Sequence, residues 1–186
     1  MKPIRLFHIS QDPNIKIFIP RPSPSEINGL KGNVVFAISE RLLHNYLLPR
    51  DCPRVTFFAK PESLRSDIQK FFGQTAAEYI ITVENNWYRL IQNTTIYCYE
   101  FSPDNFLVVD EGAGYYISYE SVTPIKTSTI LDPISELLIR NVELRFTPEL
   151  WLLADQVIKS SLQYSLIKMR NALQDKKIFF FKPFLS

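Results

Sequence analysis

The sequence predicts a mixed α+β fold: one domain over residues 1–186, with twisted, mostly antiparallel sheets packed against a few helices. Three observations predict it. Runs rich in β-branched and aromatic residues, bounded by turn residues, recur along the whole chain. Helix signals are fewer and do not alternate regularly with those runs, which argues against a doubly wound α/β sheet. The composition holds 14 Phe and 9 Tyr but only 5 Gly, and each aromatic ring buries a large area in a core.

The expected strands are 5–9, 15–19, 33–38, 55–59, 79–83, 95–101, 106–109, 115–119 and 142–146. Val34-Val35-Phe36-Ala37-Ile38 is apolar on both faces, the mark of a covered strand. Between 19 and 33, Pro20-Arg21-Pro22-Ser23-Pro24-Ser25 reads as a stiff surface loop, because Pro fixes φ and pushes its predecessor to extended geometry. Ser39 is placed to cap a short helix through 43–46. A helix over 61–72 carries Leu64, Ile68, Phe71 and Phe72 at helical spacing and stops at Gly73. Asp132-Pro133 gives an N-cap followed by Pro at the first helical position, opening 134–139. Thr147-Pro148-Glu149 repeats that signal. It is expected to open the longest helix, with Leu150, Leu153, Val157, Ile158, Leu162, Met169 and Leu173 as its apolar stripe. The tail Ile178-Phe179-Phe180-Phe181 is apolar enough to be expected on the core.

A net charge of +2 gives no electrostatic footprint for long nucleic acid, and no run approaches the ~18–20 apolar residues of a membrane span. Met1-Lys2-Pro3-Ile4-Arg5 leads into a strand-like run rather than an apolar signal segment. With only Cys52 and Cys98, the chain is expected in the cytoplasm with two thiols.

Dinucleotide, phosphate-loop and nucleophile-elbow motifs are absent; Gly112-Ala113-Gly114 alone is a turn. His8, His44, Cys52 and Cys98 have no metal-ligand spacing, so no metal is expected. On a strand, Leu6, His8 and Ser10 share one face, so His8 and Ser10 can meet one polar ligand; a core histidine bonded to backbone is the plain alternative. Arg50 and Arg54 flank a turn and could clamp a phosphate or carboxylate, with Arg5 and Arg21 as weaker members of the set. Glu111 and Glu120 read mainly as turn carboxylates, and Glu143 and Arg145 as one exposed strand face. A Cys52–His8 pair lacks a helix N-terminus to activate the thiol.

Across nearly its whole length the chain resembles a small bacterial family of uncharacterised proteins. The matching segments include Leu6-Phe7-His8-Ile9-Ser10, Leu48-Pro49-Arg50-Asp51-Cys52-Pro53-Arg54-Val55, Gly114-Tyr115-Tyr116-Ile117-Ser118 and Ile167-Lys168-Met169-Arg170-Asn171-Ala172. Its first third is also similar to the opening of ADP-ribosyltransferase-like domains, through the histidine strand, the proline loop, Val35-Phe36-Ala37-Ile38-Ser39 and a helix bearing a tyrosine. That resemblance implies a nucleotide of NAD or ADP-ribose type as ligand. His8 and Ser10 would hold ribose, Tyr46 would stack on nicotinamide, Arg50 or Arg54 would meet a phosphate, and Glu120 would orient the reacting ribose during glycosyl transfer. The competing expectation is a non-enzymatic interaction or regulatory module that binds a protein or a small metabolite.

Overall fold

The computed structural model describes residues 5–22 and 32–173. The segments predicted as strands on the strength of β-branched and aromatic runs are organised as two sheets. In the first, β1 (Leu6–Ser10), β3 (Asn33–Ser39), β6 (Ile96–Phe101), β7 (Leu107–Asp110), β8 (Tyr115–Ser118) and β9 (Lys126–Ile130) lie in the order β7-β8-β3-β1-β6-β9. A two-residue strand, β2 (Arg21–Pro22), pairs with the start of β3. The second sheet orders β10 (Val142–Thr147), β5 (Tyr79–Glu84), β4 (Arg54–Phe58) and β11 (Gln163–Ile167) as β10-β5-β4-β11. Every pairing is antiparallel except β10 with β5, which is parallel.

Strand alternation sends apolar residues to both faces of each sheet, which makes three apolar layers. Between the sheets, Phe7 and Ile38 of the first meet Ile81 and Val83 of the second, with Leu42 and Leu43 wedged in from a 3-10 helix over Glu40–Tyr46. On the outer face of the second sheet, Val55, Phe57 and Ile80 pack under α1 (Arg65–Phe72) and α4 (Trp151–Ile158) through Phe71, Phe72, Leu150, Ala154 and Val157. On the outer face of the first, Phe18 covers Leu6, Val35, Ala37, Tyr99 and Phe101. The remaining helices, α2 (Tyr88–Gln92) and α3 (Pro133–Ile139), flank the central layer; Asp132 caps α3 by accepting the Ser135 amide at 3.0 Å.

Four expectations change. The 15–19 segment contributes one β-bridge, Phe18 to Val122, and its apolar side chains cover the first sheet instead of extending it. The 61–72 helix begins at Arg65, because Lys60 and Ser63 close a turn first: the Lys60 amide donates to Ser63 Oγ and the Ser63 amide to the Lys60 carbonyl. The long helix from 150 ends at Ile158. Ser160 Oγ donates to the Val157 carbonyl, and the Asp67 carboxylate takes both the amide and the hydroxyl of Ser161, so the chain turns. It returns as β11, whose Tyr164 and Leu166 point at period two into the outer core. The strand β9 and the short helix α2 lie where no element was expected. Residues 23–25 of the proline-rich stretch and the apolar 178–181 tail lie outside the described residues.

Candidate functional site

His8 is placed by a divergence of strands. β1 pairs with β3 only at Leu6↔Ser39 and Phe7↔Ile38, while on its other side it stays paired to β6 as far as Ser10↔Tyr97. In the opening, His8 Nδ1 lies 3.0 Å from the Phe36 carbonyl. A carbonyl only accepts, so Nδ1 carries the proton and Nε2 of the neutral ring keeps a lone pair. The ring packs on Phe18 with centroids 4.8 Å apart. Burial holds its pKa below the ordinary histidine value against the opposing pull of the Phe36 carbonyl, and the charges of Arg50 and Arg21 lower it further. Ser10 shares this face, and its hydroxyl accepts the Asp12 amide at 3.1 Å.

The other expected site residues are drawn into the fold. Arg54, at the start of β4, is only 2% exposed. Its Nη1 donates to the carbonyls of Pro49 (3.3 Å) and Cys52 (3.1 Å), which pins the turn that carries Arg50. Its guanidinium carbon stands 5.8 Å from the centroid of the Tyr46 ring. Tyr46 in turn shares a 2.7 Å hydrogen bond with the Tyr115 hydroxyl, and burial followed by that neighbour drives its pKa well up. Glu120 is exposed beyond β8, where it accepts from Asn105 Nδ2 at 3.1 Å. Arg50 is exposed in its turn. Of the expected set, then, Arg54 and Tyr46 meet in the core and the charge of Arg50 reaches His8. Among the described residues, no hydrogen bond or ion pair joins Glu120 to any of them.

Cys52 is fully buried, its thiol pushed up to about 12 chiefly by burial, so the thiolate a cysteine nucleophile requires is disfavoured. Arg5 is committed to Glu100 (2.8 Å) and Glu40. Among the described residues, no three His, Cys, Asp or Glu side chains gather as metal ligands, and no helix is long and apolar enough to cross a membrane.

Two buried groups outside the expected set are also perturbed. Glu84 ends β5 without exposure; one carboxylate oxygen accepts the Leu173 amide at 2.9 Å and the other has no partner among the described residues, and burial raises its pKa. His44, on the 3-10 helix, packs against Tyr79 at 4.2 Å between ring centroids, and burial lowers its pKa to about 4. Nothing local in the sequence marks either, since both depend on neighbours remote along the chain. The surface has a cleft of about 480 Å³ lined by Arg5, Ser39, Glu40, Arg41, Glu111 and Gly114, and another of about 340 Å³ by Lys16 and Lys126. Neither is lined by His8, Tyr46, Arg50, Arg54 or Glu120.

These features define a mixed α+β protein with two sheets around a shared apolar layer and a neutral, backbone-bonded histidine where the first sheet opens. The chain belongs to a family of unknown function (DUF6886), whose model matches residues 7–172. No curated protein and no solved structure matches it.

Proposed function

We propose that this protein is a binding module with no reaction of its own, acting on a protein partner or a small metabolite. The observation that supports this reading is the destination of its reactive groups. His8 bonds to a backbone carbonyl, Tyr46 to Tyr115, Arg54 to two carbonyls and Glu120 to Asn105, while Cys52 is sealed in the core. Glycosyl transfer from NAD needs a stacking ring, a ribose-holding histidine and an acid around one ligand. Here those groups are each tied to a different structural partner. Two free, buried cysteines fit work in a reducing cytoplasm. The test is nicotinamide release from millimolar NAD. None is expected, and turnover that disappears in Glu120→Gln would overturn the reading.

A second reading, a nucleotide held without chemistry, draws support from His8 alone. With Nδ1 bonded to Phe36, its Nε2 is an acceptor suited to a ribose hydroxyl, and the charges of Arg21 and Arg50 nearby suit a phosphate. Calorimetric titration with NAD and with ADP-ribose decides it: binding that vanishes in His8→Ala and weakens in Arg50→Ala is expected. No heat at millimolar ligand, or binding unchanged in His8→Ala, removes this reading of His8 and leaves the first.

A further inference from the structure

Strand β10 ends the second sheet, with β5 on one side and, among the described residues, no strand on the other. An open strand edge presents a row of backbone donors and acceptors that another chain can use. The sequence along it, Val142-Glu143-Leu144-Arg145-Phe146, reads apolar, acidic, apolar, basic, apolar. Turned antiparallel against itself about Leu144, it places Glu143 opposite Arg145 and Val142 opposite Phe146, so each charge meets its opposite and each apolar side chain meets another. Within one chain these two charges already pair, Arg145 Nε to Glu143 at 2.7 Å, which shows that both lie on one strand face. The surface beside the edge is apolar as well. Phe146 is 38% exposed with Tyr88 against it at 5.4 Å, and Leu138 and Ile139, at the end of the helix leading into β10, are 60% and 81% exposed. The neighbouring charges Arg140 and Glu136 pair with each other at 2.9 Å, so they add little repulsion between two such faces.

We infer that β10 is a self-complementary edge, and that its partner is a second copy of this chain, joined antiparallel across a two-fold axis at Leu144. A strand pair alone buries less than a stable interface needs; Tyr88, Leu138, Ile139 and Phe146 supply the apolar area around it. This goes beyond the binding-module reading and does not depend on it, because a monomer would leave the proposed ligand and partner roles untouched.

Charge exchange tests the pairing. Light scattering of the full chain at roughly 100 µM, a concentration at which an ordinary interface is occupied, should give twice the chain mass. Glu143→Arg sets arginine against arginine across the axis, and Arg145→Glu sets glutamate against glutamate, so each alone should run as a monomer. An equal mixture restores both opposite-charge contacts and should run as a dimer. Arg145 also donates to the Phe71 carbonyl at 2.7 Å, so folding of its variant is checked by circular dichroism. A second arm uses Leu144→Cys, whose thiols would face each other across the axis while Cys52 and Cys98 remain buried. A short bis-maleimide should then link two chains. A monomeric wild type, single variants that dimerise as well as wild type, or absence of the cross-link in Leu144→Cys overturns the inference.

Discussion

Gly114 has a φ of +68°, and a β-carbon built on it would lie 2.4 Å from Ser39 Oγ and 3.3 Å from Leu42. Two separate terms therefore oppose a side chain: the left-handed backbone, and overlap with a segment held by the Ser39 amide's bond to the Gly114 carbonyl. Gly73 has a similar φ of +60° with a ψ of −116°, but no atom of the described residues lies within 4 Å of its ideal β-carbon. Gly73→Ala is expected to lose about 1–3 kcal/mol from backbone strain alone, because its φ and ψ lie where L side chains are rare, and Gly114→Ala about 2–4 kcal/mol once overpacking is added. Urea denaturation of the two variants measures both losses; a Gly114→Ala loss of only about 1 kcal/mol, the backbone cost alone, would mean that Ser39 moves aside freely. At this scale the sequence was legible in direction and not in purpose. Period-two alternation put His8 and Ser10 on one face, as observed. That His8 would satisfy Phe36, and Arg54 the carbonyls of its own preceding turn, depended on where two strands part and where a turn folds back.

Among the elements, β4 is central in its sheet, between β5 and β11. Its Phe57 is 1% exposed and meets Phe71 and Phe72 of α1 edge-on at 5.7 and 5.8 Å. Phe57→Ala removes a ring from the contact that seats α1 on the sheet, and the expected loss is about 3–5 kcal/mol. Thermal melts of Phe57→Ala and Phe57→Leu check it, the leucine variant retaining the larger part because it leaves the smaller cavity. The strands apolar on both faces were readable because burial on both sides forces a continuous apolar run. β9 was not, since Lys126-Thr127-Ser128-Thr129 lies exposed on the sheet edge and carries no apolar pattern. β11 was absorbed into an apparent helix because Leu162 and Met169 suit a helical stripe; the period-two set Leu162, Tyr164 and Leu166 was the competing signal. The side of β4 that β11 fills, which only the assembled sheet reveals, decides between them.

The molecule as a whole is bounded in pH by groups buried in their uncharged forms. His44 is held neutral, with a pKa of about 4 against the ordinary value of 6.5, because burial disfavours its cation and the charges of Arg140 and Arg41 repel it. His8 is lowered in the same direction. Between pH 6.5 and 4 the unfolded chain binds protons that the folded chain refuses, so stability falls as pH falls through that window. At pH 5, His44 alone accounts for a loss on the order of 2 kcal/mol. Glu84 opposes this: its folded pKa is raised, so the native state holds a proton that the unfolded state has released, and acid favours folding above the ordinary carboxylate range. On the alkaline side, Cys52 and Cys98 are both raised to about 12, mainly by burial. Above roughly pH 9 the unfolded thiols ionise while the folded ones cannot, and stability falls again. The expected profile is a plateau from about pH 6.5 to 8.5 with a decline on either side. Urea midpoints at about pH 5, 7.5 and 10 measure it. His44→Phe keeps a ring against Tyr79 while removing the titration, so its acid limb should be flatter than that of the wild type. An acid limb of unchanged slope would mean that His44 is not the group that takes up the proton.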